Sequence, residues 1–247
     1  MDLTMPALLA SPWLLAGVLA IVCAAAIIQA GLGMGFGLMA APLLALLDPE
    51  LVPAPTLMLG MAAATWGGWS ERRRIAWNEV SVGVIGRVAG VAAGALLLAG
   101  LAGTKSFLLV FGCMTMLAVV LTASGWKMPF NRPNLIAMTA LSGLMGTITS
   151  VGAPPLAIIY RGRAPGEARP TLAAFFALGC VISLTGLWLA GVAGVSDVAN
   201  AALLAPGMVA GTLLSRRLRT HFDLRYRGAL LAVAGLAAVL LIVRGLS

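Results

Sequence analysis

Residues 31–42 read GLGMGFGLMAAP and interrupt an apolar segment that spans residues 13–47. Glycine adds backbone freedom and proline removes a hydrogen-bond donor, so one uniform helix is not expected to continue through this stretch. In lipid, an interrupted backbone is tolerated only where protein or a water-filled cavity satisfies its polar groups. The stretch therefore predicts a helix break at membrane depth and, with it, a candidate binding site.

A second break of the same kind follows in the other half of the chain. Residues 146–155 read GTITSVGAPP, and a shift of 113 residues superposes Gly33 on Gly146. The same shift superposes Pro42 on Pro155. A shift of 115 residues superposes a Pro-Thr-Leu sequence that follows each break. These matches indicate a duplicated unit of the kind found in membrane transporters.

The composition is that of a membrane protein. Hydrophobic residues make up 61% of the chain and charged residues 10%, and the mean hydropathy is +1.03. A net charge of +8 would suggest nucleic acid in a soluble protein, but here the basic residues cluster in short loops between apolar runs. The three cysteines lie in apolar segments, and one histidine is present, so neither a cofactor nor a metal site is predicted.

Apolar runs of about 20 residues predict six full crossings and two hairpins. The first repeat, residues 1–125, has a hairpin at 13–47 and spans at 51–69, 79–101 and 105–124. The second repeat, residues 126–247, has a hairpin at 134–160 and spans at 170–191, 199–214 and 228–243. The predicted fold is an all-α polytopic membrane protein with two inverted repeats, each a broken-helix hairpin plus three transmembrane helices. Whether the hairpins are re-entrant or fully spanning stays open.

The distribution of charge predicts the orientation. Thirteen of the 16 basic residues fall in loops on one predicted side, with only Lys105 and Arg244 on the other and Arg87 inside a span. Basic loops favour the cytoplasm. Because each repeat contains a hairpin and three crossings, the second repeat must lie inverted relative to the first. Both termini are therefore expected outside the cytoplasm.

Glycines at four-residue intervals predict close helix packing. Gly86, Gly90 and Gly94 share one helix face in the first repeat, and Gly207 and Gly211 repeat the pattern in the second. Such spacing lets helix backbones approach each other in lipid. The alternative is that glycine is simply common in this chain, at 30 of 247 residues.

Arg87 is the one charged residue deep inside a predicted span. It lies about 12 Å from the helix start near Glu79, and a guanidinium at that depth costs at least ~2.5 kcal/mol unless it faces a cavity or a partner. Two interpretations stay open. Arg87 contributes positive charge to an anion site, or it reaches the cytoplasmic surface or bonds carbonyls at a helix break.

The helix is expected to resume at about Gly37 and about Gly152, so two half-helix N-termini would point into the protein and favour an anion. Hydroxyl groups in the second break add donors. Thr56 and Thr171 each follow a proline and are equally explained as helix caps. Ser142 resembles a protease serine, but no histidine lies in a span to activate it, so no enzyme activity is predicted. The candidate substrate-binding residues are Gly33, Gly35, Gly37, Pro42, Thr56, Arg87, Gly146, Thr149, Ser150, Gly152, Pro155 and Thr171.

Motifs along nearly the whole chain resemble the TauE/SafE family of sulfite exporters. They are GLGMGFGLMAAP with its Pro-Thr-Leu span, a basic loop that ends in Ile-Ala-Trp at 75–77, the glycine helix, and GLMGTITSVGAPP at 143–155 with Arg-Pro-Thr at 169–171. The resemblance implies a multi-pass protein of the bacterial inner membrane, built from two related halves. It also implies movement of sulfite, thiosulfate, sulfonates or related organosulfur anions.

The leading hypothesis is a transporter for a small anion, most simply a sulfur-containing oxyanion or a sulfonate such as sulfoacetate. The alternative is a non-transporting membrane subunit or an intramembrane enzyme. The expected partners are the anion and the lipid bilayer, without nucleic acid. The identity of the anion, the direction of transport, the coupling ion and the oligomeric state, a homo-oligomer included, stay open.

Overall fold

The computed structural model describes residues 11–32, 35–69, 72–218 and 225–247. These residues form ten α-helices and two short 3-10 turns, Pro49–Leu51 and Arg72–Arg74. The first five helices are α1 (Pro12–Leu32), α2 (Phe36–Leu47), α3 (Ala54–Trp69), α4 (Trp77–Ala99) and α5 (Gly103–Ala123). The other five are α6 (Arg132–Thr149), α7 (Ala153–Tyr160), α8 (Pro165–Leu189), α9 (Val195–Leu218) and α10 (Arg225–Leu246).

Six of the described helices are long and apolar enough to cross a membrane, which confirms an all-α polytopic membrane protein. The candidate spans are Pro12–Gln29, Trp77–Ala99, Gly103–Ala123, Gly166–Leu189, Val195–Ser215 and Gly228–Leu246. Five of them match predicted spans. The sixth is the first arm of the first hairpin, whereas the predicted span at 51–69 is α3, a helix of only 16 residues.

Both predicted helix breaks are present. The first separates α1 from α2, and the second separates α6 from α7. The chain doubles back at each break, since α2 packs on α1 and α7 packs on α6. At the first break the amide of Phe36 donates to Gln29 Oε1 at 3.0 Å. At the second break Ser142 Oγ donates to the carbonyl of Gly152 at 2.6 Å. Gly33 lies outside the described residues.

The prolines do not end the helices as expected. Pro42 lies inside α2, and Pro155 lies in the first turn of α7, where a missing N–H costs little. Helix α8 begins at Pro165 and continues through Pro170, where the sequence had suggested a helix start. The breaks therefore depend on the glycine-containing stretches, and the prolines are accommodated within helices.

Helices of one half pack mainly on helices of the other. Helix α4 packs on α6, and α9 packs on α1, while α3 meets α8 and α5 meets α10. Glycines make this possible, since a Cβ at Gly86 or Gly90 would overlap carbonyl oxygens of α6. A Cβ at Gly211 would likewise overlap the carbonyl oxygen of Cys23. This packing of each half on the other agrees with two related halves. The boundaries of the halves and their inversion in the membrane stay predictions.

Basic loops meet at one end of the helix bundle, which we call the basic end. Arg163 forms an ion pair with Glu79, near the start of α4, at 2.6 Å. Arg161 Nη1 donates to the carbonyl of Trp126, in the loop after α5, at 3.2 Å. At the opposite end, Lys105 Nζ donates to the carbonyl of Ser247 at 2.7 Å.

Candidate functional site

One cavity of about 370 Å³ lies between the two hairpins, and we call it the central cavity. The first break lines it with Gly35 and Gly37, and the second with Ser150 and Gly152. Further wall residues come from α3, α4, α5, α8 and α10. The structure thus brings both breaks to a single space.

The two breaks touch each other at glycine and serine. A Cβ at Gly37 would overlap the carbonyl oxygen of Ser150, so only glycine allows this approach. Ser150 itself has φ 61, a left-handed conformation. Its hydroxyl lies 2.7 Å from that of Thr56, and both hydroxyls lie within 2.9 Å of the carbonyl oxygen of Pro53. One hydroxyl can therefore donate to Pro53 and the other to its neighbour, which ties the second break to α3.

The return helices of the two hairpins are both short. Helix α2 has 12 residues and α7 has 8, which correspond to about 18 Å and 12 Å of axial rise. Each is shorter than the ~30 Å of a hydrocarbon layer, so neither crosses such a layer alone. The first residues of both helices, Phe36 and Ala153, line the central cavity.

The two halves differ by one helical turn at this point. Under the shift of 113 residues that aligns Pro42 with Pro155, Phe36 of α2 aligns with Thr149 rather than with Ala153. Helix α2 therefore begins one turn earlier than α7 does. This offset explains why the aligned prolines lie in different turns of their helices.

Arg87 lies ten residues into α4, about 15 Å from the basic end, and its side chain is only 5% exposed. Its Nη1 donates to the carbonyl oxygen of Ser142 at 2.9 Å and to the Ser142 hydroxyl at 2.8 Å. Its Nη2 donates to the Ser183 hydroxyl at 3.1 Å. Arg87 thus bonds a carbonyl near the second break, as one interpretation expected, and it also lines the central cavity.

Three glycines make room for the guanidinium of Arg87. A Cβ at Gly179 would lie 2.7 Å from Cζ. A Cβ at Gly146 would lie 3.0 Å from Nη2, and one at Gly152 would lie 3.0 Å from Nη1. Gly146 and Gly152, both predicted site residues, therefore leave space for the guanidinium and also belong to the second break.

Arg87 has no carboxylate partner within 4.0 Å in the described ranges. Its Nε also has no hydrogen-bond acceptor there. A guanidinium stays protonated in proteins, and a buried charge without an opposite charge is costly. The site therefore has an excess positive charge that an anion would balance.

Backbone donors come mainly from the first break. Gly37 and Leu38 belong to the first turn of α2, where amides have no acceptor within the helix, and both line the cavity. The second break was expected to offer the same groups, but Pro154 and Pro155 in the first turn of α7 have no N–H. One break thus supplies amides and the other lies beside the arginine.

The remaining predicted site residues lie apart from this arrangement. Thr149 is fully buried and donates to the carbonyl of Met145 at 2.7 Å. Thr171 lies within α8, and its hydroxyl accepts from the amide of Ala76 at 3.1 Å. Neither these two residues nor Pro42 and Pro155 line the central cavity.

Sequence reasoning missed Ser183, Gln29 and Cys180 as parts of this region. Gln29 and Cys180 line the cavity, and Ser183 receives a hydrogen bond from Arg87. Each is a polar or polarizable residue within an apolar span, which is the signal that would have marked it. Ser142 was considered only as a nucleophile, but its hydroxyl is held by Arg87 and by Gly152.

The model of one known protein family matches residues 18–241 of the chain, and that family is described as sulfite exporter TauE/SafE. The match therefore covers both breaks, Arg87 and the central cavity. Neither the curated proteins nor the solved structures include a match to the chain.

Proposed function

The chain belongs to the TauE/SafE family of sulfite exporters, and we propose that it moves a sulfur-containing oxyanion or sulfonate across the bacterial inner membrane. Sulfite, thiosulfate and sulfoacetate represent the substrate class. The family consists of membrane transporters rather than enzymes, and the six apolar helices make this a multi-pass membrane protein.

One observation carries the proposal. Arg87 is a buried cation without a carboxylate partner among the described residues, and it lines a cavity that both breaks share. A guanidinium favours planar or tetrahedral oxyanions, because its N–H groups can bond two oxygens at once. The amides at the start of α2 add donors with a favourable helix dipole.

The remaining cavity wall supports a substrate with a short carbon chain. Phe36, Leu38, Phe176 and Leu230 also line the cavity. Apolar surface of this kind binds methylene groups and offers nothing to a fully hydrated ion. A sulfonate would place its oxygens beside the arginine and its carbon chain against these side chains.

The test is flux through purified protein in liposomes. Radiolabelled sulfite, thiosulfate, sulfoacetate, taurine and sulfate are loaded on one side, and their passage is compared with protein-free liposomes. We expect at least one sulfur-containing anion to cross faster with protein, and Arg87→Gln to reduce that flux at a low substrate concentration. A panel in which no anion exceeds the protein-free rate would refute transport and favour a non-transporting membrane subunit.

A further inference from the structure

The central cavity has a second arginine at its other end. Arg161 is the residue that follows α7, its side chain is exposed, and it lines the cavity together with Leu121 and Thr122 at the end of α5. Its contact with the carbonyl of Trp126 places it at the basic end. The cavity therefore opens toward the end of the bundle where the basic loops meet.

Helix α7 connects the two arginines. Gly152, the cap at its N-terminus, lies against Arg87, and Arg161 is the cap at its C-terminus. Eight helical residues separate the two caps, or about 12 Å. The cavity wall thus carries positive charge at both ends of one short helix, and the described lining residues include no carboxylate.

The dipole of α7 makes the charge at Arg161 useful to an anion. The C-terminus of a helix carries partial negative charge, which would repel an anion at the cavity mouth. Arg161 offsets that charge at the mouth itself. The residue that aligns with Arg161 in the first half is Asp48, whose carboxylate accepts from the amide of Glu50 at 2.9 Å and does not line the cavity.

We propose that Arg161 is the entry residue of the anion path, a cation that the substrate meets at the basic end before it reaches Arg87. The proposal rests on the proposed function, since it assumes that an anion enters the central cavity. One of the Arg161 Nη atoms is held by Trp126, and the guanidinium has further N–H groups that can bond an oxyanion. Arg161 acts on entry and affinity, whereas Arg87 holds the bound anion.

The experiment measures the salt dependence of flux. Uptake of radiolabelled sulfite and sulfoacetate is measured in proteoliposomes whose basic end faces the anion, between about 10 and 150 mM salt. Over that range the screening length falls from roughly 30 Å to 8 Å, which brackets the length of α7, about 12 Å. We expect Arg161→Gln to raise KM about three- to tenfold at low salt, to leave the maximal rate unchanged, and to flatten the salt dependence.

Two variants sharpen the comparison. Arg161→Lys keeps the charge and should keep most of the salt dependence. Arg132→Gln removes an exposed charge at the same end, at the start of α6 and away from the cavity lining, and should behave like the original protein. If all three variants and the original protein show the same KM and salt dependence, Arg161 has no role in entry.

A purely structural role gives a different pattern. Arg161→Gln would then lower the maximal rate or the amount of inserted protein, with KM and salt dependence unchanged, and that pattern would overturn the proposal. If Arg161→Gln fails to insert, the test uses Arg161→Lys and the original protein. A KM that is independent of salt in both proteins also overturns the entry role of Arg161. Absence of flux in the original protein refutes the proposed function itself, and the entry role falls with it.

Discussion

Replacing Arg87 by glutamine removes the buried positive charge and keeps a polar side chain. A hydrogen bond between charged partners is worth about 1.5 to 3 kcal/mol. Losing it should raise the dissociation constant of the bound anion roughly ten- to a hundredfold. Arg87→Lys keeps a point charge but cannot reach Ser142 and Ser183 together, so we expect an intermediate loss of affinity.

The structure also indicates that Arg87→Gln will fold. Ser142 Oγ still has the carbonyl of Gly152 as an acceptor. The Ser183 hydroxyl still accepts from the hydroxyl of Thr147, at 3.0 Å. The substitution therefore leaves neither hydroxyl without a partner, and it removes a buried charge whose burial is costly. We expect the anion-free variant to be about as stable as the original protein.

Thermal unfolding with and without sulfite or sulfoacetate measures the effect. An anion at 100 times its dissociation constant stabilises the folded protein by about 2.7 kcal/mol. At the same anion concentration, a variant that binds the anion ten- to hundredfold more weakly is stabilised by only about 1.4 to 0.4 kcal/mol. If Arg87→Gln inserts normally and gains as much as the original protein, Arg87 is structural and the site depends on backbone groups alone.

Three further predictions follow from other features of the chain. Gly37→Ala should cost about 1 to 3 kcal/mol of stability and reduce flux, because its Cβ overlaps the second break. Gly17→Ala should be neutral by both measurements, because no atom lies within 4 Å of the added Cβ and Gly17 does not line the cavity. Reporter fusions at Ser247 and after Arg74 should report opposite compartments, and the same compartment would rule out inverted repeats. Thr115→Val should raise the free energy of unfolding by about 1 kcal/mol, because the buried Thr115 hydroxyl has no partner among the described residues, and an unchanged melting temperature would contradict this.

The helix breaks could be predicted because their cause is local. Closely spaced glycines disfavour a helix, and Gly35 at the first break has φ 130°, a conformation that favours glycine, so the sequence places both breaks within a few residues. The one-turn difference between the halves could not be predicted in the same way. It accompanies a tertiary contact, the close approach of Gly37 to Ser150, that the sequence does not reveal. The aligned prolines, Pro42 and Pro155, concealed it.

The site shows the same division. Arg87 could be identified because a charged residue inside an apolar span is costly and needs a reason. Its partners, Ser142 and Ser183, lie on two other helices and become neighbours only after those helices pack. Thr171 shows the opposite error, since Pro170 suggested a helix start and the helix in fact begins at Pro165. The partners of Arg87 thus depend on helix packing, which the sequence does not show.

The unlike chemistry of the two breaks has a consequence for transport, on the proposed function. An anion that accepts from the first turn of α2 and from Arg87 binds two groups of the first half, and Arg87 is itself held by Ser142 and Ser183 of the second half. Separating the breaks would take away part of that binding, because the amides lie at the first break and the guanidinium is held beside the second. Release of the anion and relative movement of the two hairpins are therefore coupled, and the contact between Gly37 and Ser150 is the point at which that coupling can be disturbed.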